Sequence, residues 1–328
     1  MILTLVDHDR GQVARNTWEA LTFARGLAER LQAPLAAMVV DPGGPGPLDV
    51  WGRYGVSQVI HVTHPELDEY APDAWARALE EWIRTQGPVA AIAPGTPRGN
   101  EVLARAGARL GLPMAANVVQ VEPAEPAYRL TRVRWGGSLL EEAELAGEPR
   151  LMTVAPNMVE ARPASQATEP PVHVHTPDLQ EAERTVKVVD RVEAARDRVS
   201  LVDARVVVGG GRGVGSAEGF RVLEELAELL GGAVGCSRAV TNEGWRPHSD
   251  QIGQTGTRIA PEIYIACGIS GAIQHYVGCK GAKRILAINT DPEAAMVAKA
   301  DWAVIADLHQ VVPAVIQEIR RRHPNGQG

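Results

Sequence analysis

The stretch Pro261-Glu262-Ile263-Tyr264-Ile265-Ala266-Cys267-Gly268-Ile269-Ser270-Gly271-Ala272-Ile273-Gln274-His275, with Ile285-Leu286-Ala287-Ile288-Asn289 after it, decides the fold of this chain. Residues 263–267 and 285–288 are continuous apolar runs. They are too uniform for strands with one wet face and read as buried parallel strands. Glycines, hydroxyls and amides crowd around them, at Gly268, Ser270 and Gly271 and, upstream, in Gln251-Ile252-Gly253-Gln254-Thr255-Gly256. Small side chains and accessible main-chain N–H groups at strand ends suit a site that wraps a large polar cofactor.

Working outward, residues 205–208 form another apolar strand. Gly209-Gly210-Gly211-Arg212-Gly213-Val214-Gly215 follows, then a helix over about 217–230. The nearest fit to GxGxxG is Gly211-x-Gly213-x-x-Ser216. Its third glycine is missing and no P-loop lysine accompanies it, so the fingerprint is weak. Apolar segments recur at Val234 and at 302–305, with a helix expected over 310–321. This half reads as a doubly wound parallel sheet, with its site in the loops that follow the strands.

The first half alternates strands at 2–7, 35–40, 58–63 and 89–93 with helices at 15–31, 73–85 and about 101–110, the signature of an α/β domain. The proline- and glycine-punctuated residues 41–47 must be a loop. Gly95-Thr96-Pro97-Arg98-Gly99-Asn100 follows a strand and precedes a helix, where such sheets bind anions. A nucleotide phosphate site and an ordinary connection are both readings of it, and the lack of a lysine or strict glycine pattern favours the connection. From Val118 the pattern turns β-rich. Residues 128–135, 138–145 and 150–155 read as antiparallel strands extending the first sheet, with Gly136-Gly137 as a hairpin turn. His173-Val174-His175 sets two imidazoles on one strand face, but no third ligand lies near. A solvated face is favoured over a metal pair. The charged residues 179–200 read as part strand, part connector, and the domain boundary falls there, giving domains 1–190 and 191–328.

Composition bounds the function. The chain has 328 residues with 45% hydrophobic and 22% charged, enough for two globular domains. Aromatics are only 4%, while 33 glycines and 23 prolines fit many tight connections. A net charge of −7 without a basic run argues against nucleic-acid binding. Cys236, Cys267 and Cys279 are far apart and lack CxxC spacing, so neither a disulfide scaffold nor a zinc site is expected, and a reducing cytoplasm is the default. The first strand starts at Ile2, which leaves no expected leader peptide. No apolar run reaches the roughly 18 residues of a membrane span.

The motifs quoted above, together with Ser237-Arg238, Ala287-Ile288-Asn289 and Ala306-Asp307-Leu308, resemble the α subunit of electron transfer flavoprotein across the whole second domain. The first domain agrees more loosely. The resemblance implies an N-terminal α/β domain of nucleotide-hydrolase-like type that contacts a β subunit, and a C-terminal FAD-binding domain. It implies a heterodimer with that β subunit, in which β holds AMP or a second FAD. It also implies electron carriage from flavin dehydrogenases, such as the acyl-CoA dehydrogenases of fatty acid β-oxidation, to a quinone reductase or other acceptor. Departures are Trp245 for a smaller aromatic, Thr290 where lysine is common, and Glu293-Ala294-Ala295-Met296 in place of a Pro-Ile-Phe run.

The cofactor-binding residues that the resemblance implies are Arg212, Ser237, Arg238, Gln251, Ile252, Gly253, Gln254, Thr255, Ser270, Gly271, Ala272, Ile273, Gln274, His275, Asn289, Asp307 and Leu308. No catalytic residue and no metal ligand is expected. Thr255 would face flavin N5, which accepts a hydrogen bond when oxidised and donates one when reduced; a hydroxyl can do either. His275 would act as a cation at the N1–C2=O edge, and Arg238, permanently charged, would raise the potential of the first electron. The glycine turns would supply N–H groups to the pyrophosphate, with Arg212 beside it. Residues 271–274 would open a helix whose N-terminus faces negative charge, and Asn289, Asp307 and Leu308 would meet the adenosine end. An electron-bifurcating relative and a free-standing flavin oxidoreductase are the alternatives. The second would need a poised acid or base, for which His275 is the one candidate.

Overall fold

The computed structural model describes residues 1–190 and 199–322. The chain forms two compact units, Met1–Val192 and Glu193–Gly328.

The first unit runs β1 (Ile2–Leu5), a short hairpin β2 (His8–Asp9) and β3 (Gln12–Val13), α1 (Arg15–Leu31), β4 (Leu35–Val40), α2 (Leu48–Arg53), β5 (Gln58–Val62), α3 (Pro72–Gln86), β6 (Ala90–Pro94) and α4 (Pro97–Leu110). It continues with β7 (Met114–Glu122), β8 (Tyr128–Arg134), β9 (Leu139–Leu145), β10 (Arg150–Val154) and β11 (Val172–His175). Nine strands make one sheet in the order β11-β5-β4-β1-β6-β10-β7-β8-β9. β1 is wholly buried at its centre and alternates between two cores. Ile2 and Val6 pack with Leu21 and Leu27 of α1, while Leu3 and Leu5 pack with Leu79 of α3 and Leu103 of α4.

Several expectations are corrected here. β10 is parallel to β6 and to β7, not antiparallel; only β7, β8 and β9 form the antiparallel flap. The chain returns from β9 to set β10 between β6 and β7, a choice that strand periodicity does not encode. The β8–β9 turn is a 3₁₀ turn over Trp135–Gly137. α4 begins at Pro97, because the Thr96 hydroxyl accepts from Gly99 N at 3.0 Å and Pro97 stands at the first helical position. Residues 179–190 hold no strand. They carry a 3₁₀ turn at Glu181–Arg184 that Glu183 fastens to Arg109 at 2.8 Å, and 191–198 lie outside the described residues. His173 is exposed, and His175 faces Glu81 at 3.4 Å. Among the described residues no cluster of metal ligands forms.

The second unit runs β12 (Val206–Gly210), α5 (Phe220–Leu229), β13 (Ala233–Cys236), α6 (Arg238–Asn242), β14 (Ile263–Cys267), α7 (Ile273–Cys279), β15 (Ile285–Asn289), α8 (Ala295–Lys299), β16 (Trp302–Ile305) and α9 (Leu308–Arg322). Its five strands are all parallel, in the order β13-β12-β14-β15-β16. Phe220, Leu223, Val312 and Ile316 of α5 and α9 cover one face; Cys279 of α7 and Met296 of α8 pack on the other, against Tyr264 and Val207. α5 starts at Phe220 rather than 217, because residues 212–214 are taken into a 3₁₀ turn first. The three cysteines are buried free thiols, and burial pushes each up to about 12. Among the described residues no helix is long and apolar enough to cross a membrane.

Candidate cofactor-binding site

In the second unit β12 starts the sheet. The chain moves to β13 on one side, then crosses back to β14 and onward to β15 and β16. The connections leaving the ends of β12 and β14 therefore diverge, and a crevice opens there, the usual ligand position in such sheets. A cavity of about 560 Å³ occupies it, within the range of small-molecule sites.

Packing alone requires several glycines of the run. Gly209 and Gly210 are strand residues, and a methyl on either would fall inside van der Waals contact with the Tyr264 phenol or the Phe220 ring. Gly211 lets the exit of β12 cross that of β14, where a methyl would run into the Gly268 carbonyl. The expected free donors are in use: Gly211 N donates to Cys267 O at 2.9 Å and Gly213 N to Gly268 O at 3.2 Å. What the turn presents to the cavity is Arg212.

Ser237 and Arg238 follow β13 on the next wall. Among the described residues neither the Arg212 nor the Arg238 guanidinium has a hydrogen-bond or ion-pair partner. Gln251-Ile252 runs parallel beside β13, with Ile252 N donating to Cys236 O at 2.8 Å. Gly253, Gln254 and Thr255 continue along the wall, and the Gln254 N–H is spent on Gln274 O at 2.8 Å. Gln251 is 1% exposed and sits behind the exposed Thr255, its Nε2 donating to Thr255 Oγ1 at 3.0 Å.

Ser270, Ala272, Gln274 and His275 line the side fed by β14. Two expected residues lie off the wall. Gly271, at φ +80°, turns its Cα toward the main chain of Met296, and Ile273 is 65% exposed. α7 begins only at Ile273.

His275 reaches the cavity wall from a buried position. Its Nε2 lies 2.8 Å from Tyr264 Oη, and its Nδ1 is buried without a hydrogen-bond partner. Burial pushes its pKa down to about 4, with the Ile252 main chain offsetting only part of this, which favours the neutral imidazole in the chain as it stands. Burial likewise drives the Tyr264 phenol well above its ordinary range, so it stays protonated.

Asn289, at the end of β15, donates to Ile269 O at 3.0 Å and accepts from Asp291 N at 3.1 Å, bracing the loops around the cavity. Asp307 accepts from His309 N at 2.9 Å, as a cap on α9, and Leu308 is buried in the core while also reaching the cavity. Sequence reading assigned no role to Ala239, Asn242 and Asp291 on the cavity wall, nor to Tyr264 behind His275. Only Tyr264 left a signal: a phenol in a buried strand needs a partner for its hydroxyl.

The first unit has its own crevice, between the ends of β1 and β6, where Gly95–Asn100 sits. It is filled from within. Arg98 donates to His8 O at 2.6 Å and to Asp9 Oδ1 at 2.9 Å, and lies 4.9 Å over the Tyr70 ring. His8 stacks on Trp75 at 5.4 Å. The loop is a connection and helix cap, with its one cation already paired.

A flavodoxin-ordered sheet with an open crevice, carrying unpaired cations and hydroxyls at its switch point, defines a nucleotide-cofactor-binding domain. Sequence comparison narrows the class. The family described as "Electron transfer flavoprotein FAD-binding domain" matches residues 200–280, and "Electron transfer flavoprotein domain" matches residues 2–180. The chain is 39% identical over 322 residues to an electron transfer flavoprotein subunit alpha of Mycobacterium leprae, covering 98% of each. It is 35% identical over 328 residues to Protein FixB of Bradyrhizobium diazoefficiens, covering 98% of this chain and 89% of that one. It is 31% identical over 322 residues to a subunit alpha of Thermoanaerobacterium thermosaccharolyticum. The chain belongs to the electron transfer flavoprotein family, as an α subunit whose second unit is the FAD-binding domain.

Proposed function

We propose that the cavity at the ends of β12 to β15 holds FAD, and that the chain works with a β subunit as an electron carrier in the cytoplasm. It takes electrons from flavin dehydrogenases, among them acyl-CoA dehydrogenases, and gives them to a quinone reductase or another acceptor. The observation that carries the reading is one cavity that gathers Arg212, Arg238, Thr255 and His275 from four separate segments. The cavity's chemistry fits the cofactor. Two unpaired guanidiniums supply charge for phosphates and for an electron-rich ring, and the orphaned His275 Nδ1 awaits a partner.

FAD, when bound, supplies one-electron redox chemistry, and the protein supplies position and electrostatics. Thr255 serves a ring nitrogen that is an acceptor in one redox state and a donor in the other. His275 would offer its Nδ1 to a ring-edge oxygen, held in place from behind by Tyr264. Arg238, with its permanent charge, favours arrival of the first electron. Arg212 would hold the pyrophosphate, and Asp291 and Asp307 lie on the wall that would take ribose hydroxyls.

The test is a reductive titration of the co-purified αβ complex with flavin stoichiometry measured first. The reading expects FAD in the complex and two separable one-electron steps. Arg238→Ala should retain the flavin and lower the first potential by about 60 mV, a tenfold change in that equilibrium. A complex without flavin, or an unchanged first potential in Arg238→Ala, counts against it.

A further inference from the structure

We infer that Gln251 is a positioning residue that aims the hydroxyl proton of Thr255 into the cavity. The inference rests on the reading above, in which Thr255 serves flavin N5.

Gln251 is buried while the Thr255 it serves is exposed. A buried carboxamide must have both ends partnered. On one side Thr241 Oγ1, on α6, lies 2.9 Å from Gln251 Oε1 and shares its proton between that oxygen and the Arg238 carbonyl, also at 2.9 Å. On the other side Gln251 Nε2 donates to Thr255 Oγ1 at 3.0 Å. The main chain fixes the amide between them. Gln251 N donates to His248 O at 3.0 Å and its carbonyl accepts from Thr257 N at 2.7 Å, so residues 251–257 close into a turn around it. A methyl on Gly256 would run into the Gln251 carbonyl, which shows how closely that turn is drawn.

A hydroxyl has one proton and two lone pairs. The N–H of Gln251 takes one lone pair of Thr255 and bars the proton from that direction. What remains toward the cavity is one O–H and one free lone pair, the pair of capacities a redox-active ring nitrogen needs. The relay also joins the helix that carries Arg238 to the turn that carries Thr255, so a single buried side chain sets the spacing of two groups on different walls.

Substitution of Gln251 by glutamate tests the direction of the relay. A carboxylate has only acceptors, so it would take the Thr255 proton and deny it to the cavity. The αβ complex is reconstituted with FAD labelled with ¹⁵N at N5, and the N5 resonance of the oxidised flavin and the first reduction potential are measured. Thr255→Val should move the N5 resonance to the position of a nitrogen without a donor. Gln251→Glu should move it to the same place with Thr255 still present. Gln251→Met, which leaves the hydroxyl free to turn, should move it part of the way and serves if the glutamate variant does not assemble. If Thr255→Val moves N5 but the Gln251 variants leave it at the wild-type position, the inference is overturned and the reading above stands. If Thr255→Val leaves N5 unmoved, Thr255 does not serve that nitrogen, and both fall.

Discussion

In the first unit the crevice between β1 and β6 is occupied by the protein's own groups: Arg98 bridges to His8 and Asp9, and His8 stacks on Trp75. In the second the corresponding crevice, between β12 and β14, is a cavity of about 560 Å³ with two unpaired guanidiniums on its walls. Both units obey the same topological rule, that connections diverge where the strand order reverses. The rule supplies a crevice, and the side chains decide whether it becomes a site. A cation already bonded to carbonyl, carboxylate and aromatic ring has little left for a ligand.

The largest expected effects test that contrast with equivalent changes. Gly211→Ala would press a methyl into the Gly268 carbonyl, and Gly99→Ala would press one into the Pro94 carbonyl. Main chain cannot step aside as a flexible side chain can, so each should cost about 3 kcal/mol. The consequences should differ. Gly211→Ala forces apart the exits of β12 and β14 and should lose the flavin. Gly99→Ala should leave flavin content unchanged in whatever protein remains folded. Melting curves and flavin-to-protein ratios of the αβ complex separate the two. Equal flavin loss from both would break the contrast.

The two crevices should also respond to pH with opposite sign. Burial holds Asp7 above the usual carboxylate range, against the Thr96 hydrogen bond and the Arg98 charge, so the folded state binds more protons than the unfolded one. Stability from this group is full below pH 3.8 and is lost as pH rises through the raised value. His275 is lowered from 6.5 to about 4, so its contribution is full above pH 6.5 and is lost as pH falls toward 4. At 1.36 kcal/mol per pKa unit, that loss is about 3 kcal/mol at most. Urea unfolding followed across pH 4 to 7 should show His275→Asn removing the acid-side decline and Asp7→Asn removing the alkaline-side one. Parallel pH profiles for wild type and His275→Asn would show that the imidazole is not held neutral.

The strands at 263–267 and 302–305 and the helix at 15–31 were legible because their apolar spacing is local information. α2 was not: six residues between a Pro/Gly loop and a turn carry too little periodicity. The direction of β10 was not, since alternation says nothing of parallel or antiparallel. At the cavity, most of the expected residues come together on its walls, but their surroundings were not legible. Gly209, Gly210 and Gly211 look like a phosphate turn, yet packing alone requires them, against Tyr264, Phe220 and Gly268, supplied by other elements. The burial of His275, which pushes its pKa down, comes from elements distant in sequence. Gly271 and Ile273 sit inside a matching motif but point elsewhere.

The smallest effect concerns the loop that most resembled a phosphate site. If Gly95–Asn100 bound an anion, Thr96 would be a ligand, and its loss would be felt in binding. The structure gives Thr96 a different duty: its hydroxyl accepts from Gly99 N at 3.0 Å and starts α4. Thr96→Ala should then cost about 1 kcal/mol, the usual value of an N-cap, and Thr96→Ser should recover most of it. Flavin content and the first reduction potential of the complex should match wild type in both. A potential that moves with Thr96→Ala would mean the filled crevice still communicates with the open one, and the two units would no longer be separable in function.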